Sequence, residues 1–260
     1  MIVMPVAAGL AYDERGSGRA IVFVHGHPFN RSMWRPQLEA LGTEFRVIAP
    51  DLPGYGDSPV LREKVTMREF ADAIVALLDQ LEVDRAVVVG LSMGGLVGME
   101  LGLGYPERLH GLVLAATTAA PLAAGEAETR RAAADELEAN GMLTTALEMT
   151  GRLFGPAARR DPAIVGALFE TMISANPAGA AAALRGRAER PDYSSLLPSL
   201  TVPALVIAGD QDSYAPQAVI DQLVGSLPEP KLVLLAGVGH LPNLEEPGLF
   251  NSALRAFAGS

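Results

Sequence analysis

Ser92 is the residue whose setting in the sequence most clearly indicates chemistry. It stands in Gly90-Leu91-Ser92-Met93-Gly94, directly after the apolar run Val87-Val88-Val89. A serine at a sharp strand-to-helix turn has a strained backbone, and glycines two residues to either side let the chain pass without Cβ clashes. The hydroxyl would lie clear of the sheet, at a helix N-terminus that favours developing negative charge. The segment therefore predicts a nucleophilic serine.

The four histidines are the candidates for the base that a serine nucleophile needs at neutral pH. His110 precedes a predicted strand in a surface setting, and His25 and His27 flank a glycine at the end of another. His240 lies in Gly237-Val238-Gly239-His240, just after the last predicted strand. Because a loop beyond the carboxyl end of a parallel strand is where such a base belongs, we expect His240 to be the base.

Two aspartates are candidates for the acid that would hold the histidine in one tautomer. The strand after Ser92 ends in Ala115-Ala116-Thr117-Thr118 and offers no carboxylate, whereas the next apolar run is followed by Gly209-Asp210-Gln211-Asp212. Asp210, beside a glycine, is typical of a turn residue. Asp212 is far enough along the loop to point back over the edge of the sheet. We favour Asp212 and keep Asp210 as the alternative.

The elements that would position these residues alternate between strands and helices, which predicts an α/β fold: a mostly parallel central sheet with helices on both faces. The first two strands, with a turn between them, suggest a hairpin-like element. Thr66 and Glu69 predict a capping box at a helix N-terminus. Strands are predicted near 10–13, 20–24, 45–49, 87–89, 109–115, 204–208 and 231–235, and helices near 32–41, 67–81, 93–104, 216–227 and 250–257.

Residues 121–198 break this alternation, because they show no strand pattern and are rich in alanine, leucine, methionine and arginine. We interpret them as an inserted helical cap, which leaves residues 1–120 and 199–260 as the core of the fold. An insertion after the carboxyl edge of the sheet would cover the site. The expected pocket is apolar and adaptable, and its candidate lining residues are Trp34, Met142, Phe154 and Met172.

Composition narrows the classes of function. The chain has 260 residues, of which 49% are hydrophobic, and a formal net charge of −10. Such a chain can bury a full core, and its acidity argues against nucleic-acid or anionic-membrane partners, which would need a basic patch. It has no cysteine, which excludes disulfides and suits a reducing compartment. With no apolar stretch long enough to span a bilayer and no basic segment before an apolar one, we expect a cytoplasmic protein.

Further motifs, taken with Ser92, resemble the α/β-hydrolase superfamily. The order Ser92, Asp212, His240 is the family's order of nucleophile, acid and histidine. The other motifs are His25-Gly26-His27-Pro28, Asp51-Leu52-Pro53-Gly54-Tyr55-Gly56-Asp57-Ser58, Gly209-Asp210-Gln211-Asp212, and Gly239-His240 followed by Glu246-Pro247 and Phe250. The match spans nearly the whole chain outside the helical insertion. It is specific for the superfamily and much less so for any one substrate.

The resemblance implies an oxyanion hole made by the backbone N–H groups of His27 and Met93. Pro28 has no N–H and would fix the turn. The resemblance also gives His25 and residues 51–58 structural roles, and it leaves open whether the His27 side chain points into the pocket or covers the loop.

A serine nucleophile separates this chain from the haloalkane dehalogenases and epoxide hydrolases of the same fold, which use an aspartate. The expected activity is hydrolysis of a small-molecule carboxylic ester or lactone through an acyl-serine, as in serine esterases and enol-lactonases, with no cofactor and no metal. The alternatives are a carbon–carbon bond hydrolase, a cofactor-free perhydrolase of the haloperoxidase type, and a hydrolase-fold binding protein without turnover.

Overall fold

The computed structural model describes residues 6–259, and a twisted sheet of eight strands organises them. The spatial order is β1-β2-β4-β3-β5-β6-β7-β8. Strand β2 runs antiparallel to its neighbours β1 and β4, and every other neighbouring pair is parallel. In chain order the strands are β1 (Val6–Ala7), β2 (Leu10–Arg15), β3 (Ala20–Val24), β4 (Arg46–Pro50), β5 (Ala86–Leu91), β6 (Leu109–Ala115), β7 (Ala204–Gly209) and β8 (Lys231–Leu235).

The first two long strands do not form the predicted hairpin. Strand β2 pairs with β4, which lies between β2 and β3 in the sheet. All five residues of β3 are buried, and parallel strands flank both of its edges, β4 on one side and β5 on the other. That prediction was wrong because a tight turn shows only that two strands are close in the sequence. It does not determine which strands pair in the sheet. The outcome puts the carboxyl ends of β3 and β5 side by side.

Helices cover both faces of the sheet, as predicted. Along β5, Val88 packs into one core and Val87 and Val89 into the other, which is the alternation expected of a strand buried on both faces. The capping box is confirmed: Glu69 N–H donates to Thr66 Oγ1 at 3.2 Å, and Thr66 N–H donates to Glu69 Oε2 at 2.8 Å. The helices of the core are α1 (Arg35–Leu41), α2 (Met67–Gln80), α3 (Met93–Gly104), α8 (Gln217–Ser226), α9 (Pro242–Glu245) and α10 (Pro247–Ala258).

The predicted helical insertion lies between β6 and β7. Its helices are α4 (Glu126–Asn140), α5 (Leu143–Leu153), α6 (Pro162–Ile173) and α7 (Pro177–Arg187). Helices α4 and α7 pack against each other through a small apolar cluster that includes Ala134, Leu137 and Leu184. Within the described residues, no helix of the insertion or of the core is long and apolar enough to cross a membrane.

Candidate active site

Ser92 lies at the sharp turn between β5 and α3. Its backbone has φ 55° and ψ −112°, a strained conformation for a residue with a side chain. A Cβ on Gly90 would collide with the carbonyl oxygen of Gly94, and one on Gly94 would collide with that of Val24. The two glycines are therefore required by close backbone approach. Ser92 itself stays partly exposed.

His240 and Asp212 meet beyond the carboxyl ends of β8 and β7. Nδ1 of His240 lies 2.8 Å from Oδ2 of Asp212, and both residues are buried. The other carboxylate oxygen of Asp212 accepts the backbone N–H groups of Tyr214 at 2.7 Å and Ala215 at 3.1 Å. These bonds fix the carboxylate, so that it can orient the imidazole and leave its second nitrogen available.

The competing candidates for acid and base lie elsewhere. Asp210 is exposed, and its carboxylate accepts the N–H of Gly237 at 2.7 Å, as expected of a turn residue. His110 is the second residue of β6 and lines a separate surface depression with Arg19 and Arg85. Of the two aspartates left open by the sequence, the geometry therefore favours Asp212, and of the four histidines it favours His240.

The turn after β3 brings His27 close to Met93, the first residue of α3. Within the described residues, the backbone N–H groups of His27 and Met93 donate to no protein acceptor. Nδ1 of His27 lies 2.8 Å from the hydroxyl of Tyr55, which in turn lies 3.9 Å from Sδ of Met93. Tyr55 thus bridges the two residues of the predicted oxyanion hole. The sequence predicts only a structural role for residues 51–58, and it does not predict this link.

His25 has the structural role expected of it. Its Nδ1 lies 2.9 Å from the carbonyl oxygen of Gly26, and its Nε2 accepts the N–H of Leu52 at 3.0 Å. Burial lowers the pKa of His25, in keeping with a neutral ring that donates once and accepts once. Burial, with help from Arg187 and Arg130, also holds the pKa of His27 well below its usual value.

Glu245 is a further residue that the sequence had not singled out. Its carboxylate accepts the backbone N–H groups on either side of His240, from Gly239 at 3.0 Å and from Leu241 at 3.1 Å. It also accepts the N–H of Gly155, at the end of the α5 region, at 2.8 Å. Glu245 therefore ties the histidine loop to the insertion. One signal in the sequence could have identified it. Glu245 is a carboxylate within one helical turn of the motif Gly239-His240-Leu241-Pro242, at the end of a short helix.

Ser92 and His240 line two overlapping cavities of about 380 and 480 Å³. The sheet side, called the floor below, includes Ser92, His240, Tyr214 and residues 116–118, together with Asp212 behind His240. The side contributed by the insertion, called the roof, carries charged side chains from α4, α5 and the α7 region. Within the described residues these are Glu126, Arg130, Glu148, Arg152, Arg187 and Arg190.

The four residues predicted to line the pocket do not line either cavity. Trp34, Met142, Phe154 and Met172 are all buried and are absent from the walls of these cavities. Trp34 packs against Phe23 and Phe250, with ring centroids 5.0 and 6.1 Å apart. Phe154 and Met172 belong to that same core, and Met142 to the cluster between α4 and α7. Their apolar character indicated burial but not which apolar surface would bury them, and the cavity wall combines charged with apolar side chains instead.

An apolar cavity of about 340 Å³ does occur, between α6 and the start of α1. It is lined by Ser32, Met33, Pro36, Ala163, Ile164, Ala167, Leu168, Thr171 and Leu244, and reaches neither Ser92 nor His240. In residues 6–259, no group of three or more histidine, aspartate or glutamate side chains is arranged to hold a metal ion.

The chain is similar to known hydrolases over nearly its whole length. A family model described as alpha/beta hydrolase fold matches residues 19–247. The sequence is 31% identical over 252 residues to 3-oxoadipate enol-lactonase 2 of Acinetobacter baylyi, covering 96% of this chain and 92% of the relative. It is 29% identical over 262 residues to a pimeloyl-[acyl-carrier protein] methyl ester esterase of Vibrio vulnificus, covering 98% and 100%. A solved thermophilic esterase from Thermogutta terrifontis superposes with a TM-score of 0.93 at 38% identity, covering 95% and 92% of the two chains.

Proposed function

Because the chain belongs to the alpha/beta hydrolase fold family, we propose that it is a serine hydrolase that cleaves a carboxylic ester or lactone of a small molecule. Ser92 is the nucleophile, His240 the general base and Asp212 the acid that orients it. The N–H groups of His27 and Met93 form the oxyanion hole. The observation that carries the proposal is the 2.8 Å contact between His240 and Asp212 beside a cavity that Ser92 and His240 both line.

The first half of the reaction forms an acyl-serine. Ser92 Oγ attacks the carbonyl carbon while His240 Nε2 takes the hydroxyl proton, and Asp212 stabilises the resulting imidazolium through Nδ1–H. The carbonyl oxygen gains negative charge and accepts hydrogen bonds from the two N–H groups of the oxyanion hole. His240 then gives the proton to the departing alkoxide. In a lactone this alkoxide stays attached to the acyl group.

The second half releases the acid. A water molecule gives a proton to His240 and attacks the acyl-serine carbon, and the same oxyanion hole stabilises the second tetrahedral intermediate. Collapse of that intermediate returns the proton to Ser92 Oγ. His240 gives back each proton that it takes, so the proposed cycle uses only the side chains and backbone groups named above and water.

The relatives support an ester or lactone as substrate, since one is named as an enol-lactonase and another as a methyl ester esterase. The cavities beside Ser92, of about 380 and 480 Å³, suit a small molecule of corresponding size. We place the enzyme in the cytoplasm, which suits its lack of cysteine.

Turnover of 4-nitrophenyl acetate tests this function. We expect the wild type to release 4-nitrophenol and Ser92→Ala to reduce kcat by about a million-fold, because triad residues act as a unit. Ser58→Ala is a matched control, since its hydroxyl bonds to Asp51 O at 2.8 Å, away from the cavity. It should retain turnover. Equal activity of the wild type and Ser92→Ala would contradict the proposed function.

A further inference from the structure

The roof of the cavity concentrates positive charge in an acidic chain. Arg130 from α4, Arg187 from the end of α7 and Arg190 just beyond it form what we call the arginine cluster. All three line the cavity that holds Ser92 and His240. Arg152 adds a fourth guanidinium, stacked 4.6 Å over the ring of Tyr214, whose other neighbour is His240.

The arginine cluster is only partly paired by the protein. Arg130 bonds to Glu126, and Arg190 donates to the carbonyl oxygen of Ala120. The side chain of Arg187 has no hydrogen bond or salt bridge to another described residue. The Nε–H groups of all three arginines are buried, and none has an acceptor among the residues that the structure describes. Buried donors normally have partners, so Arg187, a cavity-lining arginine without an acceptor in the described part of the chain, indicates a site for an anionic acceptor.

The charges of the cluster also act against one another. Burial, together with the neighbouring charge of Arg130, lowers the pKa of Arg187 to about 9, and burial followed by Arg130 lowers that of Arg190. Arg187 remains cationic at neutral pH. Glu126 and Glu148 also line the cavity, but Glu126 is already paired with Arg130. The cavity therefore keeps an excess of positive charge that an anionic ligand would neutralise.

We propose that the arginine cluster binds a carboxylate of the substrate, so that the preferred ester or lactone carries a free carboxylate besides its scissile bond. Arg187 would provide the main contact, with Arg130 and Arg190 beside it. A planar guanidinium binds a carboxylate through two parallel hydrogen bonds, which fixes orientation as well as adding affinity. This inference names the substrate class of the proposed hydrolase and so depends on that function.

Two pairs of substrates, each an anion and its neutral methyl ester, test the inference with the wild type. The first pair is mono-4-nitrophenyl adipate and its methyl ester, in which the charge lies on the acyl side. The second is 4-acetoxybenzoate and its methyl ester, with the charge on the alcohol side. We expect kcat/KM for the anionic member of at least one pair to be about 30-fold higher, since a desolvated charge pair lost at a binding site costs at least this factor.

Arg187→Gln should reduce that preference for the anionic substrate by about 10-fold or more, with most of the change in KM. The matched control is Arg185→Gln, two residues earlier on α7. Its guanidinium faces Asp135 at 2.8 Å and Glu138 at 2.7 Å on the outer side of the insertion. Arg185→Gln removes one cationic side chain from the same helix. It should leave the preference for the anionic substrate within about twofold of that of the wild type.

The outcomes separate the two proposals. Cleavage of neutral and anionic esters at equal rates in both pairs would overturn the carboxylate site while leaving the hydrolase intact. A preference that Arg187→Gln and Arg185→Gln change equally would overturn the role of Arg187. If Arg187→Gln does not fold, the wild-type ratios still decide whether a carboxylate is preferred. Failure to cleave any of these esters, or 4-nitrophenyl acetate, would contradict the proposed function itself.

Discussion

The floor and the roof of the cavity satisfy their polar groups in different ways. On the floor, Asp212 accepts hydrogen bonds from His240 and from two backbone N–H groups. On the roof, the Nε–H groups of Arg130, Arg187 and Arg190 are buried, and no acceptor for them lies within residues 6–259. A floor whose histidine and aspartate are fixed by hydrogen bonds is pre-organised for one reaction. A roof with unpaired donors is suited to select what is brought to that reaction.

This difference predicts that floor substitutions slow every substrate alike, whereas roof substitutions change the ratio between substrates. Asp212→Asn should lower kcat by about 10,000-fold on neutral and anionic esters equally, because the amide favours the wrong histidine tautomer. Asp210→Asn is the matched control, and its exposed turn position should make the loss less than about twofold. Steady-state kinetics on both substrate pairs measures the effect. A large loss for Asp210→Asn with an active Asp212→Asn would reverse the assignment of the acid.

Glu245 links the loop that carries His240 to the insertion, since it accepts N–H groups from Gly239, Leu241 and Gly155. Glu245→Gln turns one acceptor into a donor that faces these N–H groups. Because His240 would then be less precisely placed, kcat should fall by about 10- to 100-fold while KM changes little.

Exposed Glu246 provides the neighbouring control as Glu246→Gln, for which we expect wild-type kcat. Both variants should be assayed below the onset of unfolding. A rise in KM with unchanged kcat would show that Glu245 acts on substrate binding instead of on the position of the histidine.

Substitution of Met142 should have the smallest effect on the reaction. It is buried with Leu137 and Leu184 between α4 and α7, so Met142→Ala should lower the free energy of unfolding by about 2 to 5 kcal/mol. The change in relative kcat/KM among acyl chain lengths should stay within about threefold. The adjacent Leu143 is 57% exposed, and Leu143→Ala should cost less than about 0.5 kcal/mol. Urea unfolding measures both, and a large change in chain-length preference for Met142→Ala would return this residue to the pocket wall.

The same two regions differ in how far the sequence predicts them. Features of the floor are local: Gly90 and Gly94 bracket Ser92 within one turn, and Asp212 follows its strand by a few residues. The carboxyl ends of parallel strands meet at one edge of a sheet, so local loops assemble there without further information.

The roof could not be predicted in this way, because Arg130 and Arg187 become neighbours only when α4 packs on α7. The failed hairpin has the same cause, since β2 reaches its partner β4 across an intervening strand in sequence. Trp34 and Phe154 show the related limit that apolar side chains predict burial without predicting the surface that buries them.

The central claim is that Ser92 forms a covalent acyl-enzyme, and an alkyl fluorophosphonate tests it most directly. After incubation, intact-protein mass spectrometry should show one phosphonyl group per chain, and peptide mapping should find it on Ser92. Labelling should disappear in Ser92→Ala and slow strongly in His240→Ala, since the base activates the nucleophile. A wild-type protein that takes up no label, or a label at another residue that persists in Ser92→Ala, would contradict the account.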